Sequence, residues 1–136
     1  MKKLFKNSSI IISAMVIMSF MLFAFTPGNQ KPWNVPAKYK SMKSPVKSDP
    51  TSINTGKALY AKQCKSCHGG KGIGDGPKAA SLKTKIMPFA SKDFKAQTAG
   101  EKYYESFVGR DEMPNFEKKI LDESDRWSLI NYIDTF

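Results

Sequence analysis

Both cysteines and the only histidine of this chain fall within five positions, Cys64-Lys65-Ser66-Cys67-His68. No other feature restricts the fold as much, because whatever these three side chains hold must be met by the rest of the protein. Roughly 85 residues remain for a folded domain once an apolar leader and a proline-rich stretch are set aside. A domain that short buries a modest fraction of its surface, so a cross-link, a metal or a bulky cofactor often supplements its core.

Three readings of CKSCH compete. A closed zinc site needs four ligands, usually Cys and His, and this chain offers three. A redox-active dithiol or a simple disulfide suits C-x-x-C in an oxidising compartment, but leaves the adjacent histidine unexplained and lacks the βαβ surroundings usual for such motifs. Covalent attachment of haem c uses all three residues, and C-x-x-C-H is its recognised spacing. Two sulfurs three positions apart on one helical turn can each join a vinyl group of one porphyrin edge, and His68 then supplies an axial nitrogen as a neutral imidazole. The third reading is preferred.

A His-ligated iron takes a second axial ligand or keeps an open position. Of the seven methionines, Met1, Met15, Met18 and Met21 lie in the leader and Met42 in the proline-rich stretch, which leaves Met87 and Met113. Both precede a proline, and chain length excludes neither. Context favours Met113, in the Gly- and Pro-bearing loop GRDEMPNF between the last two expected helices. Met87 is then a wall of the pocket or a surface-loop residue.

The net charge of +10 raises the question of nucleic acid. Residues 1–50 hold eight Lys/Arg against one Asp/Glu, whereas residues 51–136 hold fourteen against eleven. The basicity is mostly outside the domain, which carries no basic stripe with interleaved aromatics, so no nucleic-acid binding is expected.

Three segments follow along the chain. Residues 1–26 begin MKKLFK and continue without a charge from Ile10 to Phe25, as a signal peptide or an uncleaved membrane anchor; residues 8–26 are favoured as an anchor that leaves the rest on the periplasmic side. Residues 27–51 contain five of the eight prolines and read as an extended tether. Its reach is up to about 75 Å if fully polyproline-like, although Trp33, Val35, Tyr39 and Val46 are apolar enough to lie against the domain. Residues 52–136 form the domain. A helix capped by Asn54 or Thr55 runs through GKALYAKQCKS, a short turn is expected at KAASLK, and the stretch to Phe94 is irregular. Thr98 and Glu101 make a capping box for a helix ending near Gly109. A last helix opens near Asp122 or Ser124, with Trp127, Ile130 and Ile133 along one side and Leu129 and Phe136 adjoining. No segment alternates as a strand, so the expected fold is all-α, with three principal helices and long loops.

GKALYAKQCKSCHGGKGIGDGP, the loop GRDEMPNF and the ending DESDRWSLINYIDTF together resemble a small bacterial class I cytochrome c over about residues 53–136. The resemblance implies one covalent haem c, with Cys64 and Cys67 in thioether bonds and His68 and Met113 as axial ligands to iron. It implies that the Pro77 carbonyl accepts the His68 Nδ1–H, and that Gly56 and Tyr60 sit where the first helix crosses the last, near Trp127 and Tyr132. Tyr60, Phe94, Phe116 and Trp127 would belong to a core that includes the haem, and Arg110 and Trp127 could reach its propionates. A soft thioether opposite an imidazole favours ferrous iron, and with both axial positions filled nothing binds and turns over. The implied function is one-electron transfer between membrane-associated redox proteins, donor and acceptor, rather than enzymatic catalysis. The alternatives are a haem-bearing subunit of a membrane redox complex, or a haem enzyme or gas sensor whose methionine is displaced.

Overall fold

A computed structural model describes residues 31–136, so the expected leader, residues 1–26, lies outside the described residues. The described chain is helical and its only β feature is an isolated bridge between Arg110 and Met113. Three longer helices carry the fold: α2 (Pro50–Gln63), α5 (Ala99–Phe107) and α6 (Glu123–Ile133). The shorter ones are α1 (Ala37–Lys40), α3 (Lys65–His68) and α4 (Lys92–Lys95), with a 3-10 turn at Ala79–Ser81 where a turn was expected. Among the described residues no helix is long and apolar enough to cross a membrane.

Local chemistry fixes the helix starts. At α5 the Thr98 hydroxyl accepts from the Glu101 amide at 3.2 Å and the Glu101 carboxylate accepts from the Thr98 amide at 2.8 Å, the reciprocal box read from the sequence. Asp122 caps α6 by accepting from the Ser124 and Asp125 amides. α2 starts earlier than expected: Asp49, rather than Asn54 or Thr55, is its cap. The Asp49 carboxylate accepts from the Ser52 amide at 2.9 Å, Ser52 Oγ accepts from the Asp49 amide, and Pro50 supplies a first helical position that needs no amide donor. Pro50, one of the five prolines of the expected tether, is thus a helix start.

The dominant packing is α2 across α6. Gly56 lies at the crossing, where an added Cβ would stand 2.1 Å from the Ser128 carbonyl oxygen and 2.7 Å from Tyr132 Cβ. α5 covers another side of α6 through Tyr103, whose ring lies 4.5 Å from that of Trp127. α6 is therefore enclosed on several sides, and Trp127, Leu129 and Ile130 are each about 1% exposed. Burial of each such side chain is worth roughly 1.5–3 kcal/mol. The core they share with Tyr60, Phe94, Phe107 and Phe116 extends to Cys64 at the start of the CKSCH turn.

The proline-rich stretch is not free where it is described. Val35 is buried, Tyr39, Met42 and Val46 pack against the core, and Asn131 Nδ2 donates to the Val46 and Lys47 carbonyls and to Ser52 Oγ. Residues 31–49 thus form a strap folded onto α5 and α6, with α1 inside it, in place of an extended spacer.

Candidate functional site

α2 passes into α3 at Cys64, and the chain stays helical long enough to put Cys64, Cys67 and His68 on one turn. The Cys67 and His68 amides both donate to the Cys64 carbonyl, at 3.1 and 3.0 Å. Gly69, at φ 80°, ends the turn, and Tyr60 Oη donates to its carbonyl at 2.6 Å. The loop that follows is laced back onto the turn: Gly74, Gly76 and Lys78 donate to the carbonyls of His68, Cys67 and Ser66. Residues from 74–86 then line a concavity of about 500 Å³ beside it, whose lining includes neither the cysteines, His68 nor Met113.

The electrostatics of the turn discriminate between readings of the motif. Both cysteines are free, and Cys64 is buried. Burial, and secondarily the neighbouring Cys67, pushes the Cys64 thiol up to about 12. A thiol-exchange site works by lowering a thiol pKa, so this environment opposes that chemistry. Burial lowers His68 to about 4, which leaves a neutral imidazole able to ligate a metal through a lone pair. Its ring lies against Phe89 at 4.7 Å and 15°, nearly parallel. Two unpaired thiols and one neutral imidazole on a single turn, set against an aromatic core, fit a covalently attached, imidazole-ligated haem. Among the described residues no group of three or more His, Cys, Asp or Glu is gathered as a metal site.

Pro77 does not make the contact expected of it. His68 Nδ1 is shielded from solvent and has no hydrogen-bond partner among the described residues. The amides flanking Pro77 are spent on the carbonyls of the turn, so the loop is held to the backbone of CKSCH, while the ring is held by Phe89.

Met113 sits in a hairpin-like loop. Arg110 and Met113 exchange both main-chain hydrogen bonds at 2.8 Å, and Gly109, at φ 70°, turns the chain into it. Met113 is half-buried against the core, and so is Met87. Glu112 joins this loop to the wall of the concavity, its carboxylate accepting from the Lys83 and Thr84 amides at 2.9 and 2.8 Å. These backbone donors hold the Glu112 carboxyl below the usual range.

The other expected residues divide. Tyr60, Phe94 and Phe116 are buried in the shared core. Phe94 lies 4.8 Å from Phe89. Two residues expected to present polar groups to a haem have those groups engaged elsewhere. Arg110 donates to the main-chain carbonyls of Lys31 and Pro32 and lies 4.0 Å over the Trp33 ring, because the strap passes beside it. Trp127 Nε1 faces the Glu123 carboxylate at 3.5 Å, one turn earlier on its own helix. Phe89 and Glu112 escaped sequence reasoning. Phe89 follows Met87-Pro88 in a stretch without periodicity, and the partners of Glu112 lie 28 and 29 residues away.

Comparison with known families adds one finding: the family model described as Cytochrome c matches residues 53–136. No curated protein matches the chain.

Proposed function

The chain belongs to the cytochrome c family, whose domains carry covalent haem and transfer electrons, and from that premise we propose that it is a His/Met-ligated monohaem electron carrier. Cys64 and Cys67 would hold one haem c through thioether bonds, and His68 and Met113 would ligate its iron. When bound, the haem supplies a one-electron iron couple. The observation that carries the reading is the single turn bearing two free thiols and a neutral, half-buried imidazole.

Each residue then has a task. Burial keeps the His68 lone pair free of a proton across the physiological range, and Phe89 fixes the plane of its ring. The Arg110–Met113 hydrogen-bond pair and the Glu112 carboxylate hold the main chain on either side of the Met113 thioether. Tyr60, Phe94, Phe116 and Phe89 exclude water, which stabilises the less charged state of a buried redox centre. Donor and acceptor are redox proteins associated with the membrane, met on its outer face, with residues 8–26 as the proposed attachment.

The exported holoprotein tests this directly. His/Met ligation predicts a weak sulfur-to-iron band at the red end of the ferric spectrum and no prompt CO binding by the ferrous protein at neutral pH. Met113→Ala should abolish the band and Met87→Ala should leave it. The reverse pattern would transfer the ligand role to Met87, and prompt CO binding by the wild-type protein would favour a sensor or enzyme.

A further inference from the structure

The Met113 loop is held from two directions, and one of them is the strap. Glu112 ties it to residues 83 and 84. Arg110 ties it to residues 31–33: its guanidinium donates to the Pro32 carbonyl at 2.8 Å and to that of Lys31, and stacks on Trp33 at 4.0 Å. Trp33 in turn meets Tyr104 of α5 edge-on at 6.4 Å, and Tyr39 meets the same ring at 4.7 Å. The main chain of Arg110 is doubly hydrogen-bonded to that of Met113, so a force on the arginine reaches the methionine through two short bonds.

We propose that Arg110 is a positioning residue for Met113, and that residues 31–33 of the strap set its position. The inference rests on Met113 as an iron ligand for its spectroscopic consequence, but its mechanical content concerns only the loop. Removal of the arginine side chain releases one of the two restraints whole, whereas removal of the Trp33 ring takes away the stacking part and leaves the two carbonyl bonds. The loop then opens more often, and the thioether leaves its place more often. A cation–π contact and a pair of charge-assisted hydrogen bonds of this kind correspond to about a tenfold change in an opening equilibrium.

The test uses the ferric holoprotein as wild type, Trp33→Ala, Arg110→Gln and the double variant. Two readouts are taken: the rate at which added imidazole replaces the native sixth ligand, and hydrogen exchange of the Arg110 and Met113 amides against amides of α6. The expected result is about tenfold faster ligand replacement in Arg110→Gln, a smaller gain of about two- to fivefold in Trp33→Ala, no gain in the double variant beyond that of Arg110→Gln, and faster exchange at Arg110 and Met113 with α6 unchanged. Additive effects of the two substitutions, or unchanged exchange at residues 110 and 113, would overturn the proposal. Should the wild-type protein lack the sulfur-to-iron band, His/Met ligation fails by itself, and the positioning of the loop is still decided by amide exchange.

Discussion

Among the individual side chains, Glu105 gives this protein a stability that depends on pH in a stated direction. Burial raises its carboxyl from the ordinary range to about 7, opposed by the charge of Arg110 and by the 2.7 Å bond it accepts from Gln97 Nε2. The native state therefore holds a proton that the unfolded chain has released. The stabilisation is complete below the unfolded value near 4.5 and is lost as pH rises through about 7. With partial exposure taken into account, the span is about 1–3 kcal/mol. In urea unfolding of the holoprotein, the stability of the wild type relative to Glu105→Gln, which cannot ionise, should decline between pH 5 and pH 8, the opposite trend contributed by His68 being common to both proteins. An equal slope in the variant would place its source elsewhere. Lys102 presents the opposite problem, a cation whose side chain is 7% exposed and whose ammonium meets Asp134 at 2.6 Å. Asp134→Ala leaves it unpaired, at a cost of about 2–3 kcal/mol, whereas Lys102→Met should cost little, because replacing a buried ion pair with apolar volume is often neutral. Thermal unfolding of both variants checks the contrast.

The helices show which parts of the fold could be read in advance. The box at Thr98 and Glu101, the Asp122 cap and the apolar side of α6 were legible because each is written within a few residues. The start of α2 was not, since Asp49-Pro50 carries the same residues as a linker and only the reciprocal bond with Ser52 distinguishes them. The CKSCH turn was legible because its function is encoded by spacing. The surroundings of that turn were less so: Phe89 and Glu112 reach the site through contacts that no local pattern announces, and Arg110 found a partner 78 residues earlier in the chain. Gly56 belongs to the legible set and carries a prediction at this scale. Gly56→Ala adds a good helix former to α2, a gain of about 1 kcal/mol if the helix stood alone. The added Cβ would meet a main-chain oxygen of α6 at 2.1 Å, which cannot rotate away. The net expectation is destabilisation of about 1–3 kcal/mol in chemical denaturation of the holoprotein. A stabilised variant would show that the two helices separate more easily than their packing implies.

At the scale of the whole molecule, the strap changes what the N-terminal region can do. A free polyproline-like tether over residues 27–51 would let the domain range up to about 75 Å from a membrane anchor. With residues 31–49 folded onto α5 and α6, that part of the stretch is taken up by the strap and adds nothing to such a reach. A retained leader would then hold the domain near the membrane surface, which suits exchange with a membrane-embedded partner better than with a distant one. The lysines of the strap report its docking in solution. Lys38, Lys40, Lys43 and Lys47 are exposed, yet the main chain around them is held by Tyr39 against Tyr104 and by the Asn131 bonds to the carbonyls of residues 46 and 47. Trypsin needs an extended, mobile chain, so these four bonds in the holoprotein should be cut far more slowly than in the denatured chain. Gly100 offers the control: a Cβ there would stand 1.8 Å from the Tyr39 carbonyl oxygen and 2.9 Å from Met42 Cβ. Gly100→Ala should therefore lift the strap and speed cleavage at Lys38 to Lys47, while the bonds of α2 and α6 stay protected. Equal, rapid cleavage in both proteins would return residues 31–49 to the role of a free spacer and restore the longer reach.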